Sequence, residues 1–324
     1  MKILIIGAAG MIGRKLAERL ASSGELDGKP ISSLTLHDVV PAGQPAGAKM
    51  PVRIVVSDLP APAEAEKLLA ERPDIIFHLA AIVSGEAELD FDKGYRINLD
   101  GTRLLLEAIR AAGHKPRLIF TSSIAVFGAP FPNAIDDEFL SAPLTSYGTQ
   151  KSICELLLSD YTRKGFLDGL AIRLPTICVR PGKPNKAASG FFSNIMREPL
   201  AGQSAVLPVS ESVRHWHASP RAAIGFLTHA AGLDLAQVGP RRALTMPGVS
   251  VTVGEQIAAL QKVAGERVAA RIHREPDPFI EGVVAGWPRN FSAKRATALG
   301  FKADASFEDI IRIHIEDELG GRIA

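Results

Sequence analysis

The chain has 324 residues, 46% of them hydrophobic and 22% charged, a balance that excludes wholesale disorder and suits one large α/β domain or a domain with a smaller companion. Its 37 basic and 35 acidic residues leave a formal net charge of +2, so there is no strong field to gather nucleic acid or a membrane surface. Cys154 and Cys178 are the only cysteines, too few for a disulfide framework, and no apolar run approaches the ~20 residues of a membrane span or makes a signal-peptide core. A soluble, cytoplasmic protein is expected.

Short apolar runs alternate with helical patterns through the first 180 or so residues. A buried strand over 2–6 (KILII) stops at a glycine, and residues 11–21 then carry apolar side chains at helical spacing. Strands follow over 34–38 (LTLHD), 52–56, 75–79 (IIFHL), 117–121 (RLIFT) and 170–174, with helices over 99–112 and 146–163. Strand, helix, strand repeated in this way predicts a doubly wound parallel sheet, a Rossmann fold, with helices on both faces. A TIM barrel of this length would not be expected to carry a glycine loop straight after strand one and an acid at the end of strand two. Beyond Pro175 the texture changes to a polar loop (RPGKPNKAASG, 180–190) and a mixture of short elements. The expected layout is a nucleotide-binding domain over 1–174, completed by about 219–247, and a discontinuous substrate domain over 175–218 and 248–324.

The first glycine cluster, G-A-A-G-M-I-G, places Gly7, Gly10 and Gly13 between the first strand and the first helix. Gly7 permits the tight turn, Gly10 lets backbone N–H groups approach a pyrophosphate, and Gly13 allows close packing of helix on strand. The helix start at Met11 and Ile12 adds unpaired donors and a positive dipole end. Asp38, ending the second strand, suits the diol of an adenosine ribose and would repel a 2′-phosphate, which favours NAD over NADP. Arg14 and Lys15 read as a solvated helix face. Asp58 with Leu59, after the third strand, is either an adenine contact or an exposed loop aspartate.

Tyr147 and Lys151, in Y-G-T-Q-K, share one face of a helix at i, i+4. A nearby ammonium favours a phenolate and so could turn a tyrosine into a base near neutrality. Thr121, Ser122 and Ser123 follow the fifth strand, at the sheet edge where α/β proteins bind ligands, and a hydroxyl there could hold a substrate oxygen.

Together with H-L-A-A (78–81), N-L-D-G-T (98–102) and T-S-S-I-A-V-F-G (121–128), these motifs resemble the extended short-chain dehydrogenase/reductase superfamily, in order and over essentially the whole chain. The resemblance implies Ser123, Tyr147 and Lys151 as the catalytic set. It implies a cofactor lining from Leu79, Ala80, Ala81, Asn98 and Ser122, with Leu174 and Pro175 beside them. Phe127 stands where many relatives have tyrosine. The stretches V-S-G-E-A-E-L-D-F-D, R-L-P-T-I-C-V-R-P-G and V-R-H-W-H-A-S-P-R-A-A resemble, more narrowly, the NAD-dependent branch that oxidises the four-carbon sugar acid D-erythronate at C2. A nucleotide-sugar epimerase that retains NAD is the alternative, because Arg214 falls where such relatives grip a diphosphate. An NAD sensor without catalysis is disfavoured by the intact Ser123, Tyr147 and Lys151.

A polyhydroxy acid needs a cation and hydrogen-bonding partners. Ser84, Arg173, Arg180, Lys183, Asn185, Lys186, Arg214 and His217 are the candidates, and Arg180 or Arg214 is expected to take the carboxylate. His215 and His217 flank Trp216 on one face of a strand and are expected to pack or line the site, with no metal. Phe191 and Phe192 are expected to pack the substrate domain. The apolar faces of the helices over 99–112 and 146–163, which relatives pair in a four-helix interface, imply a homodimer.

Overall fold

The computed structural model describes residues 1–182 and 189–324; Lys183, Asn185 and Lys186 lie outside them. Contacts divide the chain into two compact units, the first comprising Met1–Val126, Thr145–Arg173 and Ile224–Thr245. Its sheet has seven strands: β1 (Lys2–Ile6), β2 (Ser33–Asp38), β3 (Val52–Val56), β4 (Ile75–His78), β5 (Arg117–Ser123), β6 (Asp168–Leu174) and β7 (Ala243–Thr245). Their spatial order is β3-β2-β1-β4-β5-β6-β7. The pairs β1–β2, β1–β4, β2–β3, β4–β5 and β6–β7 are parallel, with Ile6 level with both His37 and His78. The strand order reverses between β1 and β4, which is where an open α/β sheet binds its ligand. β1 buries four of its five residues, as a strand covered by helices on both faces must. β3, at the sheet edge, leaves Ile54 and Val56 exposed.

Three helices matter for the site: α1 (Met11–Ser23), α2 (Gly101–Ala112) and α3 (Ser146–Arg163). Thr145 caps α3, its hydroxyl accepting from the Gly148 N–H at 3.1 Å, a contact worth about 1 kcal/mol. Leu105 and Ile109 of α2 and Cys154 and Leu158 of α3 pack with Ile76, Leu118 and Phe120 of the sheet in one core. The helix expected from residue 99 starts earlier, with a turn Phe91–Gly94 followed by a π-helical segment Tyr95–Asp100 running into α2. The wider winding frees the Asn98 carbonyl, which accepts from the Thr102 hydroxyl (2.7 Å) and the Cys154 thiol (3.3 Å).

The second unit comprises Phe127–Leu144, Leu174–Ala223 and Met246–Ala324. It contains a three-stranded sheet of Val249–Thr252, Arg214–Ala218 and Thr176–Ile177, and a parallel pair, Ala205–Leu207 with Ile272–Arg274. Phe191, Phe192, Ile195, Leu260 and Ile311 lie in its core. The stretch Phe127–Leu144, which the sequence layout kept with the nucleotide half, packs within this unit. Ile135 bridges to Phe291, and the Phe127 ring lies 5.7 Å from that of Phe291. No described helix is long and apolar enough to cross a membrane.

Candidate active site

Backbone approach dictates two of the three glycines after β1. Gly7 has φ +93°, and a Cβ there would lie 2.5 Å from the Ala80 nitrogen; a Cβ on Gly13 would lie 2.2 Å from the Gly7 carbonyl oxygen. Gly10 is different, since the nearest atom to its Cβ position is the Gly7 oxygen at 3.4 Å. Gly10 is the N-cap of α1, with no side-chain cap and no acidic residue in the first turn. The N–H groups at Met11, Ile12 and Gly13 therefore open onto space beside a positive helix end, a cradle for a diphosphate. Asp38, at the end of β2, accepts from Ala9 N–H on Oδ2 (2.9 Å) and from Val39 N–H on Oδ1 (2.7 Å). Each oxygen is oriented by one bond and keeps acceptor capacity for a ribose diol.

After β4, Leu79 and Ala80 donate to the Ile6 carbonyl at 2.8 and 3.0 Å, which holds Leu79, Ala80 and Ala81 beside the glycine loop. Buried Asn98 fastens the next turn: its Oδ1 accepts from Ile82 N–H (2.9 Å), and its Nδ2 donates to the Ile82 carbonyl (3.2 Å) and to Gln150 Oε1 (2.7 Å). Its side chain is thus spent on positioning this segment against α3. Asp58 pairs with Arg96 at 2.7 Å, and the Leu59 side chain is buried in the core. Leu174 closes β6 and Pro175 follows it.

α3 begins at Ser146, which puts Tyr147 in its first turn and Lys151 one turn on. The Lys151 ammonium donates to the Thr121 carbonyl at 2.8 Å, lies 4.5 Å above the Phe120 ring and 5.7 Å from the centre of the Tyr147 ring. Lys151 is almost wholly buried. Burial pushes its pKa down to about 8, against the opposing pull of Cys154 and Glu155. Ser123, the last residue of β5, accepts from Ala125 N–H at 3.1 Å, so its own proton remains to be donated. The end of β5 and the Tyr147–Lys151 face of α3 are therefore brought together. Ser122, its neighbour, points the other way, donating to Glu155.

The three arginines among the described substrate candidates are engaged by the protein. Arg214 pairs with Glu255 (3.1 Å) and donates to the Ser250 carbonyl (2.9 Å). Arg180 donates from Nε to the Ile177 carbonyl and from Nη2 to the Ser189 hydroxyl, both at 3.0 Å. Arg173 grips Glu155 through Nε and Nη2. Ser84 opens the short helix Ser84–Leu89.

His215 and His217 are both buried, with rings 5.3 Å apart. The Pro288 carbonyl accepts a hydrogen bond from His215 Nδ1–H (3.0 Å), so Nε2 accepts from the Thr176 hydroxyl (2.7 Å). The Phe192 ring stacks on it at 5.0 Å. Among the described residues, no group of three or more His, Cys, Asp or Glu side chains is arranged to hold a metal. Burial pushes His215 down to about 4, and burial with the Lys151 charge pushes His78 down to about 3, from 6.5. Below pH 6.5 the unfolded chain takes up these protons first, so stability falls as pH drops from 6.5 towards those values. Each histidine costs about 2 kcal/mol at about pH 5, and urea unfolding there should show a lower midpoint than at neutral pH. Equal midpoints would contradict neutral, buried histidines.

A model of the NAD dependent epimerase/dehydratase family matches residues 3–219. The chain belongs to that family. It is 48% identical to a D-erythronate dehydrogenase of Cupriavidus necator over 98% of both chains. It is 44% identical to one from Haemophilus influenzae, over 98% of this chain and 100% of the relative. A crystal structure described as a nucleoside-diphosphate-sugar epimerase from Agrobacterium tumefaciens superposes with TM-score 0.98 at 67% identity, over 100% of this chain and 96% of that one. Similarity to UDP-glucose 4-epimerases is narrower, 33% identity over 49% of this chain for that of Rhizobium meliloti. The family binds NAD, and the uncapped end of α1, the Gly10 opening and the oriented Asp38 carboxylate fit a dinucleotide.

Proposed function

We propose that this chain is an NAD-dependent dehydrogenase that oxidises the sugar acid D-erythronate at C2, giving 2-dehydro-D-erythronate. The reach of the likeness carries this reading. D-erythronate dehydrogenases match over 98% of the chain, whereas the UDP-glucose 4-epimerase of Rhizobium meliloti matches over 49%. Epimerase chemistry is the second reading, favoured by the description of the Agrobacterium tumefaciens structure. An epimerase returns its hydride in every turnover, so accumulation of NADH separates the two.

In the proposed reaction the Tyr147 phenolate removes the C2 hydroxyl proton, while the Ser123 hydroxyl donates a hydrogen bond to the same oxygen, keeps its own proton and holds the substrate in place. Lys151, with its pKa at about 8, is mostly charged at neutral pH and favours the phenolate. It also holds the cofactor ribose. Bound NAD supplies the acceptor for the hydride leaving C2. The diphosphate is assigned to Gly10, Met11, Ile12 and Gly13, the adenosine ribose to Asp38, and the adenine edge to Asp58 and Leu59. Ser84, Arg180, Asn185 and Arg214 are assigned to the acid, with Arg180 or Arg214 taking its carboxylate.

Asp38→Ala should relax coenzyme choice, lowering the NAD-to-NADP ratio of kcat/KM by roughly tenfold or more. An unchanged ratio would remove Asp38 from the ribose site. A cytoplasmic homodimer completes the proposal. Leu156 on α3 and Phe91 ahead of α2 are 71% and 57% exposed, an apolar surface suited to pairing these helices with a second copy.

A further inference from the structure

Behind the Tyr147–Lys151 face lies a buried ion pair that the proposed reaction does not use. Glu155 stands one turn beyond Lys151 on α3, on the same side of the helix. Its Oε1 accepts from the Ser122 hydroxyl and from Arg173 Nε (2.9 Å), and its Oε2 from Arg173 Nη2 (2.7 Å). The side chains of Arg173 and Glu155 are only 14% and 5% exposed. A buried pair of this kind is a poor stabiliser, since two well-packed apolar side chains commonly do as well.

The contacts form a pattern. Consecutive residues at the end of β5 are gripped by consecutive turns of α3: the Thr121 carbonyl by Lys151, and the Ser122 hydroxyl by Glu155. The next residue in the strand is Ser123. Arg173 extends the same grip to the end of β6, directly before Leu174 and Pro175.

We propose that Glu155 is a positioning residue, whose carboxylate locks the ends of β5 and β6 to α3 and so fixes where the Ser123 hydroxyl stands relative to Tyr147. The proposal rests on the dehydrogenase reading for its kinetic consequence but not for its geometry. The Glu155 carboxylate is taken up by Ser122 and Arg173, so it acts through Ser122 and the strand. Displacing a reacting group by a fraction of an ångström to an ångström is costly, up to roughly a hundredfold in rate.

The test compares Ser122→Ala, Ser122→Thr and the double variant Glu155→Leu/Arg173→Leu with the wild type. Ser122→Ala cuts one link and leaves the ion pair intact. It should lower kcat by roughly tenfold while the melting temperature stays close to wild type. Ser122→Thr, which keeps the hydroxyl, should recover most of kcat. The double variant removes both buried charges together, so it should fold, yet with kcat down by roughly a hundredfold. A crystal structure of Ser122→Ala should show the Ser123 hydroxyl moved from its 3.1 Å contact with Ala125 N–H. Ser122→Ala with wild-type kcat and an unmoved Ser123 would overturn the proposal, as would a folded double variant with wild-type turnover. If the double variant does not fold, the Ser122 pair decides. If the wild type itself makes no NADH from sugar acids, the dehydrogenase reading fails, and the position of Ser123 in the Ser122→Ala crystal still decides the positioning role.

Discussion

Replacing Tyr147 with phenylalanine should lower kcat by about 10³-fold and leave NAD affinity within about twofold of wild type. The substitution removes the phenolic oxygen and nothing else. The ring that lies 5.7 Å from the Lys151 ammonium remains, so α3 keeps its packing and the lysine its place over Phe120. Lys151 shapes the pH dependence. With its pKa brought down to about 8 by burial, it loses the charge that favours the phenolate as pH rises through that value. The alkaline limb of kcat/KM, which reports the free enzyme, should therefore fall above about pH 8. Stopped assays of NADH formation with parallel NAD titrations measure both quantities. Turnover unchanged in Tyr147→Phe would remove Tyr147 as the base.

Two glycines three residues apart should respond in opposite ways to one added methyl group. In Gly13→Ala the new Cβ would sit 2.2 Å from the Gly7 oxygen and 2.7 Å from the Ala8 Cα. Both are backbone atoms, held by the Gly7 and Ala8 N–H bonds to the His37 carbonyl at 2.9 and 3.0 Å. The crossing of α1 over β1 must give way, costing about 3 kcal/mol or more. In Gly10→Ala the Cβ meets nothing closer than 3.4 Å. That protein should melt near the wild-type temperature and bind NAD roughly tenfold to a hundredfold more weakly, because the methyl group occupies the approach to the uncapped helix end. Thermal melts and NAD titrations of the two variants separate the effects. Wild-type NAD affinity in Gly10→Ala would place the dinucleotide elsewhere.

The parallel sheet was legible because β1, β2, β3, β4, β5 and β6 are apolar runs with stops after them, and because a glycine cluster must sit where β1 feeds α1. β7 has only the three residues Ala243–Thr245, too few to show a pattern. Phe127–Leu144 contains little regular structure, and its allegiance to the second unit is set by a distant partner, Phe291. The helical run ahead of α2 was missed because its π-helical turn breaks the 3.6-residue period. That Tyr147 and Lys151 share one face of α3 was readable from their spacing, since helix geometry fixes i and i+4 on one face, whereas a role for the pair came only with the neighbouring motifs and the resemblance they carry.

Side-chain direction was not readable. Asn98 and Ser122 stand in the right segments, but the sequence gives no sign that one fastens Ile82 and the other Glu155. Arg173, Arg180 and Arg214 read alike as candidate carboxylate ligands. Their partners, Glu155, Ile177 with Ser189, and Glu255 with Ser250, emerge only on folding. Glu155 itself leaves one sequence signal, an acid four residues beyond Lys151, where it must share that lysine's helix face.

The most direct test of the account is the amount of NADH formed when purified protein and excess NAD are mixed with D-erythronate, with L-threonate, D-threonate and UDP-sugars in parallel. Many molecules of NADH per protein chain are expected with D-erythronate, and no accumulation with UDP-sugars. Silence with every acid, together with epimer formation from a UDP-sugar, would contradict it and leave the family's other chemistry in its place.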